Sequence, residues 1–586
     1  MMFWKLILII LSFPAVAYEQ LETIDVKAEK DIKRFTFSYS ETISERELEK
    51  QPLGLVSTEL SKIPGLIASQ NGGPGSRVSF FMRGTESRHI SFTLDGLKIN
   101  DTSNTDRQFD AAFLTSSFIK EINVYKGPQA VLFGSDAMGG LIEFKTKKGE
   151  NAPGTTVKVS GGSFGTISSS LLNDWNKNNH RGTLTLTRFH TDGISRLNKK
   201  RFNAREADAT DMTQLISSSA HQWNDKFETD FLAAYLNGKA EQDGVTDDNN
   251  DDLSSNAQYL TQQKTSYLIN ENQGISLRNG FNRHQRFIEN LSHENFFNGN
   301  LFHHELLHRL EIGSFGILSG LSNEHENAKT SDLDSSFDLN SIFAQSSFQD
   351  KSFKFHLGGR VDKHSKYGTF LTGSGGIGLY DFYLQYSQGY KAPSLYQLYA
   401  PDSFGFRIGN PDLVPEVNHS LEASWKKSKE FYEAAIAVFQ NRLSNLFYYS
   451  STLGYQNQQR FIAEGIELSA KIKTLQFDFF TNFTHQQFKE EQSPVLRRPY
   501  NSAQVGISYF PVETVELNLN SRWFSSRKDN QSRLNPYEVI DLSIIKTWSY
   551  DEVVVQLKNL LNRDYEDLYG YSVLSRSLFV SYAHRF

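Results

Sequence analysis

The residues from Ser577 to Phe586 alternate strictly, with Leu578, Val580, Tyr582, His584 and Phe586 on one face and Ser577, Phe579, Ser581, Ala583 and Arg585 on the other. A period of two belongs to a β-strand, whose successive side chains point to opposite sides of a sheet. The pattern recurs upstream. Val515, Leu517 and Leu519 alternate with Glu516, Asn518 and Asn520 ahead of Trp523, and Leu475, Phe477, Phe479 and Phe483 alternate with Gln476, Asp478, Asn482 and Thr484. Each segment offers one apolar and one wet face, as in a soluble sheet or in a membrane barrel with a watery lumen. A helical membrane protein is excluded, because each span would need ~20 consecutive apolar residues and the chain has no such run.

Lys5 precedes an apolar run from Leu6 to Phe13, followed by Pro14 and Ala15-Val16-Ala17. This pattern predicts a secretory signal peptide over residues 1–17, cut before Tyr18. The mean hydropathy of -0.47 is polar, yet the chain carries 45 Phe, 25 Tyr and 40 Gly. A barrel reads this way because lipid-facing and lumen-facing residues cancel in the average, although aromatic enrichment is also ordinary for an exported soluble β protein. Zero Cys means no disulfide framework and no thiolate chemistry. A net charge of -6, interspersed along the chain, gives no footing for a nucleic-acid partner.

The stretch from Ile119 to Phe144 joins an alternating strand to Gly127-Pro128, a turn-rich excursion through Gly134, Gly139 and Gly140, and a second strand. Ahead of it, in order, stand Leu60-Ser61-Lys62-Ile63-Pro64-Gly65-Leu66, Phe81-Met82-Arg83-Gly84 and Phe92-Thr93-Leu94-Asp95-Gly96-Leu97-Lys98-Ile99-Asn100-Asp101. Together these blocks resemble the plug domain of TonB-dependent outer-membrane receptors. Singly, Arg-Gly and Asp-Gly are common hairpin chemistry. The resemblance implies an about 22-stranded antiparallel transmembrane β-barrel with an N-terminal α+β plug domain inside its lumen. The expected divisions are a signal peptide (1–17), a partner-binding segment and linker (18–33), the plug (34–153) and the barrel (154–586). At ~9 to 11 residues per strand and about as many per connection, residues 155–586 suffice for such a barrel. Plug anchoring is expected at Arg83, Gly84, Asp95, Gly96, Gly127, Pro128, Gly134, Gly139 and Gly140, with Arg83 either pairing a carboxylate bidentately or reaching the barrel wall.

Glu22-Thr23-Ile24-Asp25-Val26-Lys27-Ala28 resembles the TonB box, and an extended peptide of this kind adds to a partner's sheet edge through backbone hydrogen bonds. Asp25 departs from the family, which more often has an apolar or β-branched residue there. Tyr390 to Tyr399 and Gly409 to Glu416 match the barrel's pair of boxes. No His lies between Lys391 and Asn410, the nearest being His419, which argues against haem. Val555 to Asp567 with Tyr569-Gly570-Tyr571 resembles the final strands, most closely those of the cobalamin-receptor branch. Phe586 resembles the barrel-insertion signal. Asp243 to Asn256 and Asn323 to Asp338 read as extracellular loops, and Asn298-Gly299 as a tight periplasmic turn.

His304-Glu305-Leu306-Leu307-His308 matches a zinc-protease signature that works only on a helix. On a strand the two histidines lie ~13 Å apart, and the glycine-rich context favours a strand. Gly373 to Gly378 matches GxGxxG, but a strand pattern follows where a dinucleotide site needs a helix. Asp192, Asp208, Asp211, Asp247, Asp248 and Asp251 resemble the loop aspartates with which cobalamin receptors bind calcium, without EF-hand spacing. The expectation is therefore a monomeric, non-enzymatic receptor among the lipids of a Gram-negative-type outer membrane. It would take up a scarce nutrient, a corrinoid such as cobalamin ahead of a ferric siderophore, powered by a TonB-type inner-membrane partner. No cofactor is required beyond possible loop calcium.

Overall fold

The computed structural model describes residues 40–586 apart from 203, 205, 244–251, 290–293, 403–405, 491–493 and 531. Among the described residues 22 antiparallel strands close into a barrel, and the expected architecture is present. The first barrel strand is Gly154–Gly162 and the last is Ser577–Arg585; they pair from Phe579↔Gly162 to Arg585↔Thr156. Phe586 N donates to Thr155 O at 2.8 Å, completing the seam. The alternation of the last strand is expressed as drawn from the sequence: Leu578, Val580 and Tyr582 are 40–47% exposed on the outside, while Phe579 is 1% exposed on the inside. No described helix is long and apolar enough to cross a membrane; the strands do so, satisfying every ladder group through their neighbours.

Connections at the lower rim, which carries both ends of the barrel, are short, such as Asn178-Asn179, Gly313-Ser314 and Ser549-Tyr550. Those at the upper rim run longer, including residues 192–209, 392–415, 525–536 and 559–576. Three sequence expectations are corrected here. Asn298-Gly299 is no turn but lies within the strand Glu294–Ile312. Gly299 faces the plug, and a Cβ there would fall 2.4 Å from Thr102 Oγ1 and 2.7 Å from Ser103 N. Residues 323–338 are no long loop but the ends of the strands Phe315–Thr330 and Asp334–Gln349 with a short turn between them. The final-strand reading holds for the strand Asp551–Lys558 only, because residues 559–571 form an upper-rim loop.

The plug fills the lumen. Its main sheet runs in the order Ser40–Ser44, Ile119–Lys126, Gly140–Thr146, Ile90–Leu94, Leu97–Lys98, with Ile90–Leu94 parallel to Gly140–Thr146. A second sheet pairs Leu66–Gln70 with Val78–Met82. Between and beside them short helices span Glu45–Glu49, Val56–Leu60 and Ala130–Phe133. Phe92 is central to the core, 5.2 Å from Phe109, 6.0 Å from Phe80 and 6.3 Å from Phe144 between ring centroids.

Candidate functional site at the plug and upper mouth

The strand Val78–Met82 ends in Arg83 and Gly84, both with positive φ (48° and 86°), and Thr85 N closes the turn on Met82 O at 2.9 Å. This two-residue turn pushes Arg83 against the wall. Its fully buried guanidinium donates from NH1 to Glu422 Oε2 at 2.5 Å, from Nε to Glu467 Oε1 at 3.2 Å and from NH2 to Glu467 Oε2 at 2.9 Å. Lys126 Nζ also reaches Glu467 Oε2, at 3.1 Å. Two cations thus face two carboxylates in a buried quartet. Burial alone would lower the Arg83 pKa, but Glu467 and Glu422 outweigh it and hold the group above its ordinary value. For Lys126 burial wins over Glu467 and the pKa falls. Gly84 is needed because a Cβ would meet Ala463 Cβ at 2.4 Å.

Asp95 does not pair with Arg83. With Gly96 it forms a second two-residue turn (φ 48° and 83°), and its carboxylate accepts from Thr146 N at 2.9 Å and Thr146 Oγ1 at 2.7 Å, tying two plug strands together. Gly96 abuts Arg278, whose NH2 lies 2.7 Å from where a Cβ would stand. Gly127 (φ 81°) and Pro128 start the excursion, Gly139 N donates to His89 O at 2.7 Å, and a Cβ at Gly140 would meet Met82 Sδ at 2.4 Å. Gly134 (φ 69°) leaves room for Arg360.

A second charged cluster follows at once. Asp136 accepts from Lys391 Nζ at 2.7 Å and from Arg107 NH2 at 3.0 Å, and Arg107 also pairs with Glu326. Lys98 pairs with Glu324 at 2.8 Å. Sequence reasoning missed Lys98, Arg107, Lys126, Glu324, Glu326, Lys391, Glu422 and Glu467. A signal for two of them exists: Glu422 follows the outward Leu421, and Glu467 stands between Ile466 and the outward Leu468, so each is an ionisable residue on the inward phase of a lipid-facing strand.

At the upper mouth the plug presents two apices, residues 71–76 and 101–107. The upper-rim helix Leu395–Tyr399, capped by Ser394, is fastened to the second apex: Ser394 Oγ donates to Thr105 O at 2.6 Å and Gln397 Nε2 to Asp106 Oδ1 at 3.0 Å. Around it Tyr396, Tyr399, Tyr449 and Tyr455 form a partly exposed shelf, with Tyr449 and Tyr455 5.3 Å apart and Lys366 Nζ 5.4 Å from the Tyr399 ring. Below, Arg88 NH2 pairs with Glu416 at 3.3 Å and Glu86 at 3.2 Å, and His89 Nε2 with Glu416 at 2.9 Å. Burial lowers the His89 pKa despite Glu416.

The remaining sequence candidates fall as follows. Asp192 and Asp211 both approach His190, at 3.3 and 3.4 Å. Asp208 stands apart, accepting from Arg196 N at 2.7 Å, and burial pushes its pKa up to about 7. Among the described residues no group of three or more His, Asp or Glu side chains is arranged to hold a metal ion. Asp247, Asp248 and Asp251 lie outside the described residues, as do the segment Glu22 to Ala28 and the signal peptide. His304 to His308 lies on a strand: His304 bonds Asn279 at 2.9 Å, His308 bonds Gln273 at 2.8 Å, and the inward Glu305 accepts from Arg278 at 2.8 Å. Gly373 to Gly378 belongs to the strand Gly368–Leu379. His419 points outward to Tyr386, at 2.8 Å. Phe586 packs edge-on against His584 at 4.4 Å.

A membrane barrel whose lumen is shut by an ion-paired plug, with a receptive upper mouth fastened to that plug, is a gated outer-membrane receptor. The chain matches the TonB dependent receptor-like, beta-barrel family over residues 156–562 and the TonB-dependent Receptor Plug Domain family over residues 33–141. It belongs to the TonB-dependent receptors. Its fold is similar to that of the siderophore receptor PirA from Acinetobacter baumannii (16% identity, 96% of this chain and 100% of that chain, TM-score 0.81). The FrpB iron transporter from Neisseria meningitidis (11% identity, 94% and 100%, TM-score 0.81) and the ferric-catecholate import receptor Fiu from E. coli K12 (14% identity, 94% and 97%, TM-score 0.78) are likewise similar.

Proposed function

We propose that the cargo of this receptor is a ferric siderophore, and that Glu22 to Ala28 is the segment its inner-membrane partner pulls. The tyrosine shelf carries this reading. Tyr396, Tyr399, Tyr449 and Tyr455 offer flat, amphipathic faces with Lys366 nearby, suited to an anionic complex of planar ligands. Because Ser394 and Gln397 bind the plug apex directly, occupancy of the shelf is mechanically linked to the gate. The similar solved proteins are described as siderophore, iron and ferric-catecholate receptors, which supports the same cargo class. The corrinoid expectation rested on the Asp564 to Tyr571 block and the chain's modest length, and the residues of that block tie their loop to the upper-rim segment 192–209 and to the strand Tyr537–Trp548. Glu566 accepts from Arg201 Nε at 2.7 Å, Asp567 from Tyr537 OH at 2.5 Å, and Tyr569 lies 4.0 Å beneath the Arg201 guanidinium.

Binding of the purified receptor to a ferric catecholate, a ferric hydroxamate and cyanocobalamin, read by quenching of protein fluorescence, tests the assignment. Saturable binding of a ferric complex, weakened by Tyr449→Ala with Tyr455→Ala, is expected. Saturation by cyanocobalamin alone would overturn it. Running each titration with and without calcium tests whether Asp192 and Asp211, with Asp247, Asp248 and Asp251, order the mouth through a cation.

A further inference from the structure

The lower rim is not uniform. Where the strands Thr166–Lys177, His180–Thr191, Thr210–Asn224, Phe227–Gln242 and Asp252–Asn270 reach it, a pocket of about 330 Å³ opens on the lumen side. The register builds it from two rows. Asn176, Arg181 and Ala220 stand opposite one another across three strands, and Gln222, Glu228 and Ser266 across the third of these and the next two. All six lie on the inward phase of their strands, which is also that of the buried Asp174 and Ser218. Just above, Lys148 Nζ pairs with Asp230 at 3.0 Å and Gly149 N donates to Thr183 Oγ1 at 2.9 Å. The link from plug to barrel thus closes the wall over the pocket, and none of the lining residues belongs to the plug.

Turn chemistry accounts for part of the composition. Asn178 takes positive φ (54°), and Asn224 Oδ1 accepts from Lys226 N at 2.9 Å. Asn176, Asn179 and Gln222 have no such duty, since their carboxamides are exposed and make no hydrogen bond among the described residues. The lower-rim turns Gly313-Ser314, Tyr380-Asp381, Glu430-Phe431 and Ser549-Tyr550 carry no carboxamide at all. Charge on the lining cancels: Arg181 lies 3.6 Å from Glu228, and Lys226 follows Asp225 in the turn. Two cations and two anions give a charged ligand no net attraction. Each carboxamide, by contrast, offers both a donor and an acceptor, and they stand around an apolar base of Ala220 and Leu268. On the outer face Trp175, His180, His221 and Trp223 stack in one row, 6.0, 5.8 and 4.5 Å apart between ring centroids, bracing the same strand ends. The volume is at the small end for a ligand pocket, and a braced site loses less freedom on binding.

We propose that this pocket is a second binding site of the receptor, for a neutral saccharide, whose ring hydroxyl or acetamido groups meet Asn176, Asn179 and Gln222 while a ring face covers Ala220 and Leu268. It acts independently of import. The inference rests on the uptake reading only for the direction in which the rim faces, toward the compartment of the inner-membrane partner. Cell-wall glycan and soluble saccharides there share this chemistry.

The purified receptor, in a detergent without a sugar head group, is titrated with triacetylchitotriose and followed by saturation-transfer NMR. Saturable binding is expected, weakened at least about tenfold in Asn179→Ala with Gln222→Ala. Melting of this variant is expected to match the parent, because both side chains are exposed. Glucuronic acid, a charged sugar, is expected to compete at least about tenfold more weakly than triacetylchitotriose. No saturable binding, undiminished binding by the variant, or equal competition by glucuronic acid overturns the site. Sedimentation with isolated cell-wall sacculi separates the sources: retention released by triacetylchitotriose names the wall glycan, and binding without retention names a soluble saccharide. Cells carrying the variant are expected to import radiolabelled ferric siderophore at the parent's rate, and slower import would put the pocket on the cargo's path and overturn its independence. Failure of the parent itself to import would overturn the uptake reading instead, with the saccharide titration still standing.

Discussion

Replacing Arg83 by alanine removes one of the two cations in the quartet formed with Lys126, Glu422 and Glu467. In the native protein the charges balance, and every polar atom of the guanidinium that faces Glu422 and Glu467 is used, at 2.5, 2.9 and 3.2 Å. The variant leaves two buried carboxylates to share Lys126, and forfeits the packing of the guanidinium 4.8 Å from the Phe439 ring. Breaking a buried pair by removing one partner costs about 3–5 kcal/mol, because the remaining charge stays desolvated. At about 1.4 kcal/mol per factor of ten, the undocked plug population rises by roughly 10² to 4 × 10³. Native-state hydrogen exchange of the purified receptor reads this directly. Amides of Val78–Met82 and Ile119–Lys126 are expected to exchange faster by that factor, while barrel strands keep their protection. Adding Glu422→Gln restores the charge balance and is expected to recover part of the protection. Unchanged exchange in Arg83→Ala, or no recovery in the double variant, would refute the view that charge balance at this quartet holds the plug.

Three further outcomes follow from single sites. Gly140→Ala puts a Cβ 2.4 Å from Met82 Sδ and 2.6 Å from Tyr125 O, so the plug is expected to lose about 1–3 kcal/mol in denaturant unfolding with the barrel transition unmoved. Burial alone would raise the Asp136 pKa, but Arg107 and Lys391 hold it below its ordinary 3.8. A depressed carboxylate stabilises above its unfolded pKa and loses that contribution as pH falls through the folded one, so the Asp136 contribution to plug protection is expected to be lost below about pH 4, and Asp136→Asn to remove that acid-side fall. Phe586→Ala keeps the backbone bond to Thr155 but removes a ring that is 75% exposed; assembled barrel in the membrane is expected to drop while the melting of what assembles shifts by under about 1 kcal/mol.

The barrel was legible because the constraint behind it acts on every second residue, as in Ser577 to Phe586. The plug was legible because its turns need residues that tolerate positive φ, and Arg83-Gly84 and Asp95-Gly96 both take it. Gly299 was misread for a physical reason. Its lack of a Cβ serves the approach of Thr102 and Ser103, a contact between residues almost two hundred positions apart, whereas the sequence alone offered only the local use of Asn-Gly in a turn. The polar run from Asn323 to Asp338 was misread as loop because these strand ends are polar on both faces: Glu324 and Glu326 turn inward to ion-pair with the plug, and Asn323 and His325 stand on the outer face. Arg83 was visible as an anchor, but its partners were not, since Glu422 and Glu467 meet it only after the barrel closes around the plug.

The central claim is energy-coupled uptake through a plug released from its N-terminal side, and deletion of Glu22 to Ala28 tests it most directly. Cells expressing the deleted receptor are predicted to bind ferric siderophore at their surface as well as the parent does and to import none of it. Import at the parent's rate would contradict the account.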